Sequence, residues 1–184
     1  MFRVSVLCAI FALSTAAFTK LELTECGGNG NIRVNEADVS PMPVKIPGHI
    51  SATVDVDLSQ TISDGAELKI EIYSKTWLLG WVKIPVCIPI KNIKIGSCTY
   101  NVCNFLSQFS ASGCPKQVTD LGLECPTCPL TPMNHRYVLA DVDLPPVPGV
   151  LGIFAKGDYK VKGNLRDQTG DLVACYEGKF SISS

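Results

Sequence analysis

The chain has 184 residues, a net charge of −1, 46% hydrophobic residues and nine cysteines. A near-neutral balance excludes the strong basic surplus typical of nucleic-acid-binding domains. The length suits one domain, and past the first residues no apolar run approaches the roughly 20 residues that a membrane-spanning helix needs.

Arg3, the apolar run from Val4 to Leu13 and the small residues Thr15, Ala16 and Ala17 read as an export signal over residues 1–17. The exported chain is then expected to begin near Phe18 or Thr19, leaving 18–184 as a single domain. Loss of this leader removes Cys8 and leaves Cys26, Cys87, Cys98, Cys103, Cys114, Cys125, Cys128 and Cys175. An even number of cysteines in an exported chain predicts a full set of disulfides. A hydrophobic fraction this high, in a chain also cross-linked by sulfur, means either a rich core or an interior that surrounds something.

After Cys26, the run Gly27-Gly28-Asn29-Gly30 predicts a turn. Ile50, Ala52, Val54, Val56 and Leu58 alternate with Ser51, Thr53, Asp55, Asp57 and Ser59, the period of a half-buried strand. Leu68, Ile70 and Ile72 repeat the pattern, with a turn at Asp64-Gly65 between. Trp77, Leu78, Leu79 and Trp81 then crowd around Gly80, too tightly grouped for one face of a strand, so part of this group is expected to face water or lipid. Pro85, Pro89 and Gly96-Ser97 exclude a long helix through the following segment. A short helix is predicted from about Thr99 to Phe109, with Ser97 as its cap. Cysteines and prolines dominate from Cys114 to Pro132.

Val138, Ala140, Val142 and Leu144 predict another strand, opposed by Asp141 and Asp143. Tyr159, Val161 and Leu165 predict a further one, and Leu172, Ala174, Tyr176 and Phe180 the last. Recurrent strands with turn signals and little helix define an all-β fold, an antiparallel β-sandwich with one short helix. The segment from Pro145 to Phe154 is a loop, yet it carries Val147, Val150, Leu151, Ile153 and Phe154. Loops are normally polar, so this one is expected either to plug the sandwich or to form a hydrophobic lip.

No catalytic set emerges. The histidines, His49 and His135, read as surface or turn residues, and no G-x-S-x-G motif occurs. Cys125-Pro126-Thr127-Cys128 lacks both the context of a redox motif and a second pair for zinc. Asp55, Asp57, Asp141 and Asp143 lie on the polar sides of strands. Hence no enzyme activity, cofactor or metal is expected.

The string Trp81-Val82-Lys83-Ile84-Pro85, then Cys87, Ile95-Gly96-Ser97-Cys98-Thr99-Tyr100, Cys103, Cys114, Gly122-Leu123-Glu124-Cys125, Cys128-Pro129 and Cys175 resembles the ganglioside GM2 activator family, within the wider MD-2-related lipid-recognition (ML) group. The likeness covers nearly all of the exported chain. It implies a sandwich splayed into a cup with an apolar lipid cavity, non-catalytic, that lifts a glycolipid from a membrane and presents it to a hydrolase. It also implies the pairs Cys26–Cys175, Cys87–Cys98, Cys103–Cys128 and Cys114–Cys125. Trp81 matches the family's membrane-facing tryptophan, and Gly157-Asp158-Tyr159 the end of its entrance loop. The chain departs from the family by an extra Val86, by two residues between Cys125 and Cys128, and by a longer 145–154 loop without tryptophan. It holds no N-x-S/T sequon, which favours secretion over a lysosomal destination reached through a phosphorylated N-glycan.

The function expected is therefore binding and transfer of a membrane lipid, a glycosphingolipid or phospholipid, with transient membrane contact and a lysosomal or extracellular glycosidase as the candidate partner. Trp77, Leu78, Leu79, Trp81, Val150, Leu151, Ile153, Phe154 and Tyr159 form the expected rim. Lys75, Lys83 and Lys156 flank it as candidate partners for anionic headgroups. Two alternatives stand beside this: a secreted, filled β-sandwich without a lipid cavity, acting as a protein-binding ligand or toxin accessory, and a sterol carrier of the Niemann-Pick type C2 kind.

Overall fold

Alternation of apolar and polar residues gives each strand one apolar face, and every period-two stretch of the sequence folds as a strand. The computed structural model describes residues 17–90, 93–111, 119, 127–144, 146 and 156–183. Among them the order is β1 (Glu22–Gly28), β2 (Ile32–Ser40), β3 (Val44–Lys45), β4 (Gly48–Leu58), β5 (Glu67–Thr76), β6 (Gly80–Ile84), β7 (Cys87–Ile90), β8 (Ile93–Gly96), β9 (Thr99–Asn101), α1 (Val102–Ala111), β10 (Met133–Leu144), β11 (Gly157–Arg166) and β12 (Leu172–Ser183). Residues 1–16 of the expected leader lie outside the described residues.

One sheet runs β1-β12-β11-β5-β6, with β3 added parallel to the end of β12 and β9 beside the start of β5. A second sheet runs β10-β4-β2, and β7 pairs with β8 as a separate hairpin. In the large sheet, Leu68, Ile70, Ile72 and Ser74 of β5 align with Leu165, Gly163, Val161 and Tyr159 of β11. The latter align with Ala174, Tyr176, Gly178 and Phe180 of β12. In the small sheet, Leu58, Val56, Val54 and Ala52 align with Met133, His135, Tyr137 and Leu139 of β10 and with Ile32, Val34, Ala37 and Val39 of β2.

These rows face one another. Leu58 packs in one cluster with Leu165 and Ala174, joined by Ile62, Ala66 and Val173. Next to it, the Tyr176 hydroxyl accepts a hydrogen bond from Val34 N at 3.0 Å and donates to Ile32 O at 3.2 Å, tying sheet to sheet. Beyond this tie the packing thins. Val56, His135, Tyr137, Leu139, Ile70 and Val161 all face inward and are only partly buried. Val54, on the middle strand of its sheet, is 37% exposed. A side chain flanked by strands on both sides keeps that exposure only if nothing packs above it. Gly163 and Gly178 place no side chain in the opposite wall. The sandwich is thus closed by a packed cluster at one end, and its inner wall is open at Val54, toward the other.

The structure corrects the sequence reading in two places. The β10–β4 register shifts between Leu139 and Val142, with Asp141 at φ 55°, so a bulge inserts one residue and switches faces. Val142 and Leu144 point inward, whereas Val138 and Ala140 lie on the outer face, Val138 at 45% exposed. The helix begins later than expected, because Thr99–Asn101 pairs with β5 first. Its cap is Asn101, whose Oδ1 accepts from Asn104 N at 2.8 Å. Ser97 instead donates to Ile84 O at 2.6 Å and accepts from Ile72 N at 3.0 Å, joining β5 to the end of β6.

Three of the four expected bridges form among the described residues: Cys26–Cys175, Cys87–Cys98 and Cys103–Cys128. Cys114 and Cys125 lie outside the described residues. Cys26–Cys175 spans 149 positions and fastens β1 to β12. On the chain-entropy model a loop of that size stabilises by about 5 kcal/mol.

Tyr176→Phe keeps the ring but removes both cross-sheet hydrogen bonds, leaving Val34 N without its acceptor. Urea unfolding should show a loss of about 1–2 kcal/mol with an unchanged m-value.

Candidate functional site

The hollow end of the sandwich carries an apolar tip. β5 stops at Thr76, β6 starts at Gly80, and Trp77, Leu78 and Leu79 lie between them, 91%, 70% and 73% exposed. The turn beneath is firmly built. Thr76 Oγ1 accepts from Leu79 N at 3.1 Å and donates to Gly80 O at 3.2 Å, and Gly80 takes φ 68°, a conformation that suits glycine. Three large apolar side chains are therefore held in solvent by an ordered backbone, against the usual direction of the hydrophobic effect.

At the same end, β10 finishes at Leu144 and β11 starts at Gly157, which pairs with Ile182 of β12. Leu144 and Gly157 thus both lie at the tip end. Val150, Leu151, Ile153 and Phe154, expected in the rim, lie outside the described residues.

Trp81 is separated from Trp77. It pairs with Lys75 on the outer face of the large sheet, half-buried, and its ring stacks on Phe18 with centroids 6.5 Å apart. Lys75 Nζ lies 5.9 Å from both rings, and Lys160 Nζ 5.7 Å from Trp81. The backbone N–H of Phe18 donates to the buried Ser181 Oγ at 2.8 Å, which donates to Asp158 Oδ1 at 2.6 Å. Tyr159 faces inward, buried and stacked on Phe180 at 6.0 Å, and burial raises its hydroxyl pKa.

Of the three flanking lysines, two already have acidic partners: Lys75 Nζ is 3.5 Å from Asp158 and Lys83 Nζ is 2.5 Å from Glu71. Lys156 is exposed and has no ion pair among the described residues. It lines a recess of about 510 Å³ beside Trp77, on the outer side of the tip. The Lys83 hydrogen bond, helped by Lys69 and Lys83 charge and opposed by desolvation, holds the Glu71 carboxyl below the usual carboxylate range. The same bond raises Lys83. Because Glu71 is depressed in the folded chain, its contribution to stability is present above the ordinary carboxylate range. It is lost only as pH falls through the lowered value.

His49 lies on the outer face with Nδ1 3.3 Å from Asp141 and 4.0 Å from Asp143, all three exposed. His135 is not a turn residue. It belongs to β10, on the inner face, with its ring 4.5 Å from that of Tyr137. The alternation Met133, His135, Tyr137, Leu139 was present in the sequence but hidden by Pro132 and Asn134, which favour turns. Among the described residues no helix is long and apolar enough to cross a membrane.

The chain matches the family model of the ML domain over residues 20–182 and belongs to that family. No curated protein matches it. Solved structures similar to it include these two. One is a Niemann-Pick type C2 protein from Japanese carpenter ant, with 11% identity, 88% of this chain and 99% of that chain covered, and a TM-score of 0.47. The other is chicken MD-1 complexed with lipid IVa, with 13% identity, 87% and 96% covered, and a TM-score of 0.35.

Replacing Lys83 by Gln should raise the Glu71 pKa, read from its side-chain carboxyl ¹³C shift against pH. Exposed glutamates such as Glu36 should not move.

Proposed function

We infer that this protein is a non-catalytic lipid carrier that takes a glycolipid or phospholipid out of a membrane and holds its chains between the two sheets. The observation that carries this reading is the combination of an accessible apolar interior, seen at Val54, with an exposed apolar tip at the same end of the sandwich. Membership of the ML domain family supports it.

Two acyl chains of about thirty methylenes would gain roughly 25 kcal/mol on leaving water, at about 0.8 kcal/mol each. The bilayer they leave supplies nearly the same gain. Extraction is then close to balanced, and the protein's task is to lower the barrier between two apolar environments. Trp77, Leu78 and Leu79 are suited to this. Tryptophan favours the membrane interface, and burial of the three side chains would contribute roughly 5 kcal/mol toward docking. Lys156 would meet an anionic headgroup with about 1 kcal/mol. In this reading Trp81 acts through the outer face rather than the tip. Its partner Phe18 is one of the two residues at which the exported chain is expected to begin, and a start at Phe18 would turn the N–H that Ser181 accepts into an ammonium near Asp158.

Secretion follows from the leader, and presentation of the extracted lipid to a glycosidase is the extension that the likeness to the GM2 activator family supports. The test is transfer of a fluorescent phospholipid between vesicles. Trp77→Ser combined with Leu79→Ser should slow transfer about tenfold or more while shifting stability by less than about 0.5 kcal/mol, since both side chains are exposed. An unchanged rate would remove the tip from the mechanism.

A further inference from the structure

We propose that His135 and Tyr137 form a hydrogen-bonding station inside the hollow, which receives an acceptor group of the bound lipid, a carboxylate, carbonyl or hydroxyl. The proposal rests on the carrier reading above and adds to it a chemical preference among ligands.

The β10–β4 register runs unbroken from Met133 to Leu139, so Met133, His135 and Tyr137 share one face. Met133 packs against the core cluster, which fixes that face as the inner one. His135 and Tyr137 are partly buried, and their rings are tilted 50° to each other with centroids 4.5 Å apart. Among the described residues neither makes a side-chain hydrogen bond or ion pair. Neither hides an unsatisfied polar atom either, so the imidazole and phenol stay open to the space between the sheets.

Their neighbours in the wall are apolar. His135 aligns with Val56 and Val34, and Tyr137 with Val54 and Ala37. In an otherwise hydrocarbon wall, two polar side chains are satisfied by water while the hollow is empty. A pure hydrocarbon that displaces that water leaves both groups unpaired, which is unfavourable. A ligand with an acceptor at this level replaces the water. Neutral imidazole offers one N–H and phenol one O–H, so two donors can converge on a single oxygen-bearing group, and a carboxylate accepts such bonds most strongly.

Depth narrows the class. Tyr137 lies seven positions along β10 from Leu144, the end beside the tip, which at about 3.3 Å per residue is roughly 20 Å into the sandwich. A two-chain lipid held with its headgroup at the tip would present only methyl-terminated tails there. A two-chain lipid therefore leaves the station unused, whereas a long single-chain amphiphile whose polar end reaches inward, of which a fatty acid is the simplest, gains the additional hydrogen bonds there.

The experiment uses the delipidated full-length exported chain with two probes, oleate and the hydrocarbon pyrene. Oleate should shift the His135 ring resonances and leave those of outer-face His49 in place. Tyr137→Phe should weaken oleate about five- to tenfold and should not weaken pyrene, whose affinity stays level or rises as the unpaired hydroxyl is removed. Pyrene binding with no His135 shift and no effect of Tyr137→Phe on oleate overturns the station and spares the carrier. Equal weakening of both probes also overturns it, since that marks damage to the wall rather than a lost hydrogen bond. Binding of neither probe by the unmodified chain overturns the carrier reading and the station together.

Discussion

The two sheets are packed against each other at one end, and beyond that cluster the inner wall is open at Val54. Leu58, Leu165 and Ala174, with Ile62, Ala66 and Val173, form the packed end, and the Tyr176 hydroxyl closes it by bonding across to the backbone of β2. Everything of functional interest depends on this asymmetry. Close packing supplies the stability of an ordinary core, so the remaining length of strand is free to line a space. The Cys26–Cys175 bridge fastens β1 to β12 near the packed end, giving up none of the interior to do so.

The hollow end differs from the packed end in kind. Its apolar groups face either the space between the sheets, as Val54 does, or bulk water, as Trp77, Leu78 and Leu79 do. Both arrangements are unfavourable for an isolated chain in water and become favourable beside a bilayer or around a lipid. The outer face of the large sheet is managed differently. There Trp81 is covered by Phe18 and approached by Lys75 and Lys160, whose charges are matched by Asp158 and Glu177. Among the described residues, Trp77, Leu78 and Leu79 are left exposed at one end while the flank is sealed by rings and ion pairs.

The all-β fold was legible because period-two alternation is local: Ile50 to Leu58 and Tyr159 to Leu165 point where their pattern says. The face of Val138 and Ala140 was not legible, since the bulge at Asp141 that moves them outward comes from pairing with β4, a distant partner. The same holds for the helix start, where Thr99–Asn101 is claimed by β5. In the site, clustering in sequence marked the tip. It could not separate Trp77 from Trp81, because the turn at Gly80 sends one outward from the end and the other onto the flank. His135 was missed for a different reason: one histidine among turn-forming neighbours carries no sign of the wall it enters.

The account stands on an interior that accepts hydrocarbon, and native mass spectrometry reads this directly. The delipidated chain, incubated with phosphatidylcholine vesicles and re-isolated, should carry one added phospholipid mass, and Val54→Trp, which fills the space beside Tyr137, should strongly reduce that adduct. A chain that returns only its bare mass, or a Val54→Trp chain that binds lipid undiminished, would contradict it.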